Sequence, residues 1–246
     1  MAIINCNYKS SVLGKATEFA AIVPDKKIDG KMKVLYLLHG LSDDYTAWTR
    51  YTSIERYVRN NQDTIIVMPD AGRSFYSDMC YGGAYYTYIT KELPAFIQSV
   101  FNASDKREDT FIAGLSMGGY GAFKIALRNP DKYAAVASFS GVLDVKEHLE
   151  NDRTNESECK AILGDEKIVT PNDDIMELIK RNSVNKPRLL QMCGTSDFLY
   201  RDNVKFREEI SKLNFEHEYI EDEGEHTWDF WDECIKYALK FFGIVK

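Results

Sequence analysis

Phe111-Ile112-Ala113-Gly114-Leu115-Ser116-Met117-Gly118-Gly119 is the stretch that decides the fold. The apolar run Phe111–Leu115 has the length and character of a strand buried on both faces. It leads straight into a G-x-S-x-G motif. Met117–Arg128 then carries a helical pattern that stops before Pro130. A strand, a tight turn and a helix in that order push a serine hydroxyl out beyond the sheet edge. The glycines two residues either side of Ser116 leave room for the backbone to double back. A short motif can match by chance, but the strand before it and the helix after it weigh against that reading.

The same rhythm continues in both directions. Val34–Leu38, Thr64–Met68, Ala134–Phe139 and Leu189–Cys193 are further short apolar runs bounded by turn residues. Glu216–Ile220 alternates polar and apolar residues, which suits a strand nearer a sheet edge. Ile3–Tyr8 and Ala16–Val23 read as a leading antiparallel pair. Tyr85–Phe101 and Phe230–Phe242 have helical spacing, and Pro94 predicts a kink or break in the first of them. Alternating strands and helices predict an α/β fold with a mostly parallel sheet between two helical layers. One domain then spans residues 1–246. Residues 142–187 break the rhythm: they are polar and charged, with short helical stretches such as Asp174–Lys180. So long an interruption predicts a lid or cap insertion, against the blander reading of a surface excursion.

Composition narrows the function. The 246 residues are 44% hydrophobic and 28% charged, ordinary globular usage that supports a sizeable core without disulfides or metal. A net charge of −7 without a basic cluster argues against nucleic acid as a partner. Five cysteines with no C-x-x-C pair predict free thiols in a reducing compartment. No apolar run approaches the ~18 residues of a membrane span. The N-terminal stretch has no long apolar core, so no secretory signal is expected and a cytoplasmic location is. The chain has no H-E-x-x-H, no clustered Cys/His set and no glycine-rich phosphate loop, so no metal, nucleotide or flavin cofactor is expected.

A serine hydroxyl is a weak nucleophile and needs a base within hydrogen-bond reach. Four histidines are available. On this fold the order is serine, then acid, then histidine. His39 precedes the serine, in His39-Gly40, and reads as holding that loop. His148 lies in the insertion, and His217 lies within the Glu216–Ile220 strand. His226, in Glu223-Gly224-Glu225-His226, follows the last strand and precedes the last helix, where a base can lean over Ser116; a capping or solvent-facing histidine is the competing reading. Asp197, in Gly194-Thr195-Ser196-Asp197, follows the penultimate strand and would orient the imidazole; a turn or capping aspartate is the alternative. Asp202 reads better as a helix-dipole partner, and Asp222 as a turn residue.

The oxyanion of an acyl-transfer intermediate needs two preorganised donors. The N–H of Met117 is expected to be one. The other is expected from the loop after Val34–Leu38, at the N–H of Leu41, where Gly40 lets the backbone turn. Among the aromatics, Trp48, Trp228 and Phe198 are the candidate substrate-binding side chains. Trp231 reads as core, given its place in the last helical stripe.

The chain resembles the esterase D and S-formylglutathione hydrolase-like group of α/β-hydrolases, and within it the bacterial tributyrin esterases and related feruloyl or acetyl xylan esterases. The matching segments are Leu37-Leu38-His39-Gly40-Leu41-Ser42, Met68-Pro69-Asp70-Ala71-Gly72, Gly114–Gly119, Gly194–Tyr200 and Gly224–Trp231. The resemblance implies an α/β-hydrolase fold, a triad of Ser116, Asp197 and His226, and oxyanion donors at Leu41 and Met117. It further implies a homo-oligomer, and an insertion such as residues 142–187 over the site. The segment after Leu41 lacks the cysteine-bearing, polar pattern of S-formylglutathione hydrolases proper, which favours carboxylic esters over glutathione thioesters.

The expected function is therefore a serine carboxylesterase acting on a small-molecule ester. A short-chain acyl ester, or an acetyl or feruloyl ester of a plant cell wall oligosaccharide, would suit it. A thioesterase of the S-formylglutathione type and a catalytically silent binding protein on the same fold are the alternatives. A serine peptidase or acyltransferase would use the same triad.

Overall fold

The computed structural model describes residues 1–25, 29–151, 155–181 and 185–246. In chain order the elements are β1 (Ala2–Ser10), β2 (Lys15–Val23), β3 (Lys33–Leu38), α1 (Ala47–Tyr51), α2 (Ile54–Tyr57), β4 (Thr64–Pro69), α3 (Tyr85–Thr87) and α4 (Leu93–Phe101). These are followed by β5 (Thr110–Leu115), α5 (Met117–Arg128), β6 (Ala135–Phe139), α6 (Val145–Leu149), α7 (Glu156–Leu163) and α8 (Ile175–Leu178). The chain ends with β7 (Arg188–Gly194), α9 (Tyr200–Ile210), β8 (His217–Asp222) and α10 (Trp228–Phe241).

One eight-stranded sheet runs in the order β1-β2-β4-β3-β5-β6-β7-β8. β1 and β2 are antiparallel, and β2 is antiparallel to β4. Every pairing from β4 through β3 to β8 is parallel. This is the mostly parallel α/β sheet that the alternating strands and helices predict, and the α/β-hydrolase fold that the resemblance implies. The chain moves from β3 outward to β4, then crosses back to place β5 on the other side of β3. At such a reversal two loops diverge at the C-terminal strand ends and leave a crevice. Leu38 and Leu115, the last residues of β3 and β5, stand at its two sides.

Period-two alternation sends successive side chains to opposite faces, and both faces are covered. Val34, Tyr36 and Leu38 pack on one side, with α4 and α5. Leu35 and Leu37 pack on the other, with Trp48 and α10. Each fully buried Leu or Ile contributes roughly 1.5–3 kcal/mol over an exposed one, which is why these strands are mostly apolar. β1 and β8 are the two edge strands, and β8 has no fully buried residue.

Pro94 does not interrupt its helix. A π-helical turn, Tyr88–Glu92, joins α3 to α4, and Pro94 sits at the very start of α4. The wider turn removes the clash that proline causes in a regular helix. The Thr90 carbonyl, four residues back, accepts a hydrogen bond from Lys132 Nζ at 3.3 Å instead.

Residues 142–187 hold α6, α7 and α8 and no strand among the described residues; 152–154 and 182–184 lie outside them. The insertion is not merely a surface excursion, because Val145, Leu149, Cys159, Ile162, Val169 and Ile175 are buried in the core that also contains α5. Tyr120 on α5 donates to the Asp173 carbonyl at 2.8 Å. Among the described residues no helix is long and apolar enough to cross a membrane.

Candidate active site

Ser116 lies between β5 and α5 with φ 52° and ψ −119°. This is a sparsely populated conformation for a residue with a side chain and costs on the order of 1–3 kcal/mol. Neighbouring backbone holds it there. The Ser116 N–H donates to Phe139 at 2.9 Å, and the Ser116 carbonyl accepts from Tyr120 at 3.1 Å and Val142 at 3.3 Å. The two motif glycines are needed because the turn is so tight. A Cβ on Gly114 would lie 2.4 Å from the Gly118 carbonyl oxygen, and one on Gly118 would lie 2.6 Å from the carbonyl oxygens of Leu38 and His39.

The loop after β8 brings His226 to the serine. Its Nε2 lies 3.0 Å from Ser116 Oγ. Its Nδ1 lies 2.8 Å and 3.0 Å from the two Asp197 carboxylate oxygens. A carboxylate only accepts, so Nδ1 carries a proton, and in the neutral imidazole Nε2 presents a lone pair to the serine hydroxyl. The Asp197 side chain is fully buried, whereas His226 keeps partial exposure. Asp197 also accepts from the Leu199 N–H at 2.8 Å, which fixes the carboxylate within its own turn.

The other candidates stand apart from this group. His39 is buried; its Nδ1–H donates to the Gly40 carbonyl at 2.7 Å and its Nε2 accepts from the Ala71 N–H at 3.0 Å. Burial holds its pKa below the usual value. His148 pairs with Asp202 at 3.0 Å, tying α6 to the first turn of α9. His217 lies 3.1 Å from Gln191 Oε1, and burial pushes its pKa down to about 4. Asp222 is exposed at the end of β8, and its carbonyl accepts from Thr195.

Met117 follows Ser116 directly, and Leu41 lies in the loop after β3. Met117 opens α5, so its amide is one of the helix's unpaired N-terminal donors. Neither the Met117 nor the Leu41 N–H has a hydrogen-bond partner among the described residues. A Cβ on Gly40 would meet Ser116 Cβ at 3.7 Å, so the backbone just before Leu41 packs against the serine.

The aromatic expectations divide. Phe198 is 71% exposed, and its ring centroid lies 4.4 Å from that of His226. Trp228 is half-buried and forms the first residue of α10, with the Tyr51 ring 5.1 Å from its own. Trp48 corrects the sequence reading: it is fully buried and has no face open to a substrate. Its indole N–H donates to the Leu38 carbonyl at 3.1 Å, and its ring packs edge-on against Phe139 and Trp228. A buried indole needs an acceptor, and the end of β3 provides one.

Three further residues support the site, and two of them, Asn203 and Tyr76, lie in no motif. Trp231 stands perpendicular to His226 at 4.8 Å and donates its indole N–H to Ser140 Oγ at 3.2 Å. The stripe in α10 predicts its burial, but not that it backs the histidine. Buried Asn203 donates to the carbonyls of Gly141 and Leu199, both at 3.0 Å, joining the chain beside Ser116 to the Asp197 turn. Tyr76, fully buried at a positive φ, donates its hydroxyl to the His39 carbonyl at 2.9 Å.

Known proteins share this arrangement of elements. The chain matches the model of a family described as putative esterase over residues 10–242. An acetyl esterase of Caldicellulosiruptor saccharolyticus is 31% identical over 266 residues, which cover 100% of this chain and 99% of that one. A substrate-bound fluorophosphonate-binding serine hydrolase of Staphylococcus aureus superposes with a TM-score of 0.91 at 34% identity, covering 100% of this chain and 99% of its own. An S-formylglutathione hydrolase of the same organism, as apoenzyme, superposes with a TM-score of 0.88 at 36% identity, covering 98% of each chain.

Proposed function

We propose how this chain, which belongs to the esterase family and is a serine hydrolase of ester bonds, carries out its reaction. Ser116 Oγ attacks the ester carbonyl while His226 Nε2 takes its proton. Asp197 holds the imidazole in the required tautomer and stabilises the imidazolium that forms. The N–H groups of Met117 and Leu41 receive the oxyanion. His226 returns the proton to the leaving alcohol, leaving an acyl-enzyme on Ser116. Water activated by His226 then releases the acid and restores the serine.

The observation that carries this reading is the unbroken relay from Asp197 to His226 Nδ1 and from Nε2 to Ser116 Oγ, with Ser116 held in a strained turn. A binding protein would need neither the relay nor the strain.

The favoured substrate is a short-chain carboxylic ester, as the relative named an acetyl esterase suggests. The relative named an S-formylglutathione hydrolase supports a second reading, an acylated thiol as substrate. The same relay serves both, because the attack on the acyl carbonyl is unchanged and only the leaving group differs. A kcat/KM panel of acetyl, butyryl, octanoyl and feruloyl esters beside S-formylglutathione separates them, with Ser116→Ala as the blank. An acetyl or butyryl maximum supports the first reading. A maximum on S-formylglutathione supports the second, and a feruloyl maximum would replace both with a phenolic-acid esterase. A small-molecule ester, free or on an oligosaccharide, is the partner proposed. Self-association into a homo-oligomer and a cytoplasmic location are proposed with it; sedimentation and cell fractionation test them.

A further inference from the structure

Four consecutive carbonyls, from Leu38 to Leu41, each accept a hydrogen bond from a side chain. Trp48 holds Leu38, Tyr76 holds His39, and His39 Nδ1 holds Gly40. The fourth donor is Arg73, whose guanidinium reaches the Leu41 carbonyl at 3.3 Å. The planarity of the peptide gives this pattern its consequence. The Gly40 carbonyl and the Leu41 N–H belong to one rigid plane and point in opposite directions. Holding the carbonyl therefore aims the amide. Holding the peptides on either side, through the His39 and Leu41 carbonyls, stops the central plane from rotating between them.

Arg73 differs from the other three donors. It lies in the loop after β4, and its side chain is 47% exposed. Its remaining donors engage both carboxylate oxygens of Glu158 on α7, with Nη2 to Oε2 at 2.9 Å. That fork on the carboxylate raises the guanidinium pKa further and fixes its plane. Arg73 thus spans from a helix of the insertion to the peptide next to the Leu41 amide.

We infer that Arg73 is a positioning residue for the Leu41 amide, held in place by Glu158, so that the insertion acts on the rate of acyl transfer. The inference rests on the reading above that the Leu41 N–H receives the oxyanion. An amide turned away from the developing charge stabilises the transition state less but leaves ground-state binding intact.

The test is steady-state hydrolysis of p-nitrophenyl acetate by the whole chain. Arg73→Gln is expected to lower kcat about 10- to 100-fold with KM within about twofold. The affinity of a boronic acid transition-state analogue should fall in parallel, while Tm stays close to wild type because Arg73 is half-exposed. Glu158→Gln should lower kcat in the same direction. The double variant should be no worse than Arg73→Gln, because both act through one contact. Guanidinium at concentrations far below those that unfold proteins should restore part of the activity of Arg73→Ala.

A separate variant tests the underlying reading: Leu41 replaced by its α-hydroxy acid, which deletes only the amide N–H. It should cost about 10²–10³ in kcat. If it does while Arg73→Gln retains wild-type kcat, or changes KM alone, the role of Arg73 is overturned and the oxyanion reading survives. If the hydroxy acid leaves kcat unchanged, the Leu41 reading fails and the inference falls with it.

Discussion

His226 Nε2 and Ser116 Oγ lie 3.0 Å apart, although 110 residues of chain separate them. Two loops at the C-terminal ends of β5 and β8 make this contact, across the width of β6 and β7. A hydroxyl already donating to a neutral imidazole is prepared to lose its proton on attack. Ser116→Ala should therefore lower kcat by roughly 10⁴–10⁶ while Tm hardly moves. A variant retaining a tenth of wild-type activity would remove Ser116 from the reaction.

Asp197 is expected to act through the tautomer of His226. Asp197→Asn places an amide where the carboxylate accepts, which favours the imidazole proton on Nε2 and turns it toward Ser116. A fall of about 10⁴ in kcat follows from the wrong tautomer. The Leu199 N–H keeps an oxygen acceptor in this variant, so the fold should persist. Loss of activity together with far-ultraviolet circular dichroism would instead make Asp197 a structural residue.

Trp48 is predicted to matter for stability and not for substrate binding. Trp48→Ala removes a fully buried ring and should destabilise the protein by about 3–5 kcal/mol. Trp48→Phe keeps most of the volume but leaves the Leu38 carbonyl without its donor, and should lower Tm by less. Denaturant titration measures both, and an unchanged KM for Trp48→Phe is the accompanying expectation.

Phe198 should behave in the opposite way. At 71% exposure it contributes little to the core, yet its ring packs against that of His226 at 4.4 Å. Phe198→Ala is expected to change stability by no more than about 0.5 kcal/mol. It should shift relative kcat/KM among esters of small and large alcohols by roughly 10-fold, the worth of a modest apolar contact. Identical selectivity in wild type and variant would place Phe198 outside the substrate path.

His217 introduces a pH dependence of stability. Burial lowers its pKa from 6.5 to about 4 in the folded protein. Below pH 6.5 the unfolded chain binds this proton first, so its contribution is fully present above pH 6.5 and is lost as pH falls toward 4. Its size is at most about 3 kcal/mol and is reduced by the ring's partial exposure. His39, also lowered by burial, adds in the same direction. His217→Gln should flatten the Tm–pH curve in this window. Parallel curves for wild type and variant would refute the assignment.

The strands, the turn at Ser116 and the loops bearing Asp197 and His226 were legible in the sequence for a local reason. Buried parallel strands must be short apolar runs, the tight turn after β5 needs glycine at positions 114 and 118, and loops that follow such strands emerge at one edge of the sheet. Chain order alone then places a serine, an acid and a histidine on that edge. Which side chains back this group was decided only by tertiary packing. Trp48 and Phe198 are both aromatics near the same loops, yet one is sealed beneath β3 and the other lies open over His226. Trp231 follows a helical stripe that predicts burial but not its contact with His226. Arg73 and Leu41 are 32 residues apart and share no pattern of spacing. Periodicity records how each element meets a surface, whereas these contacts depend on how separate loops meet one another in space.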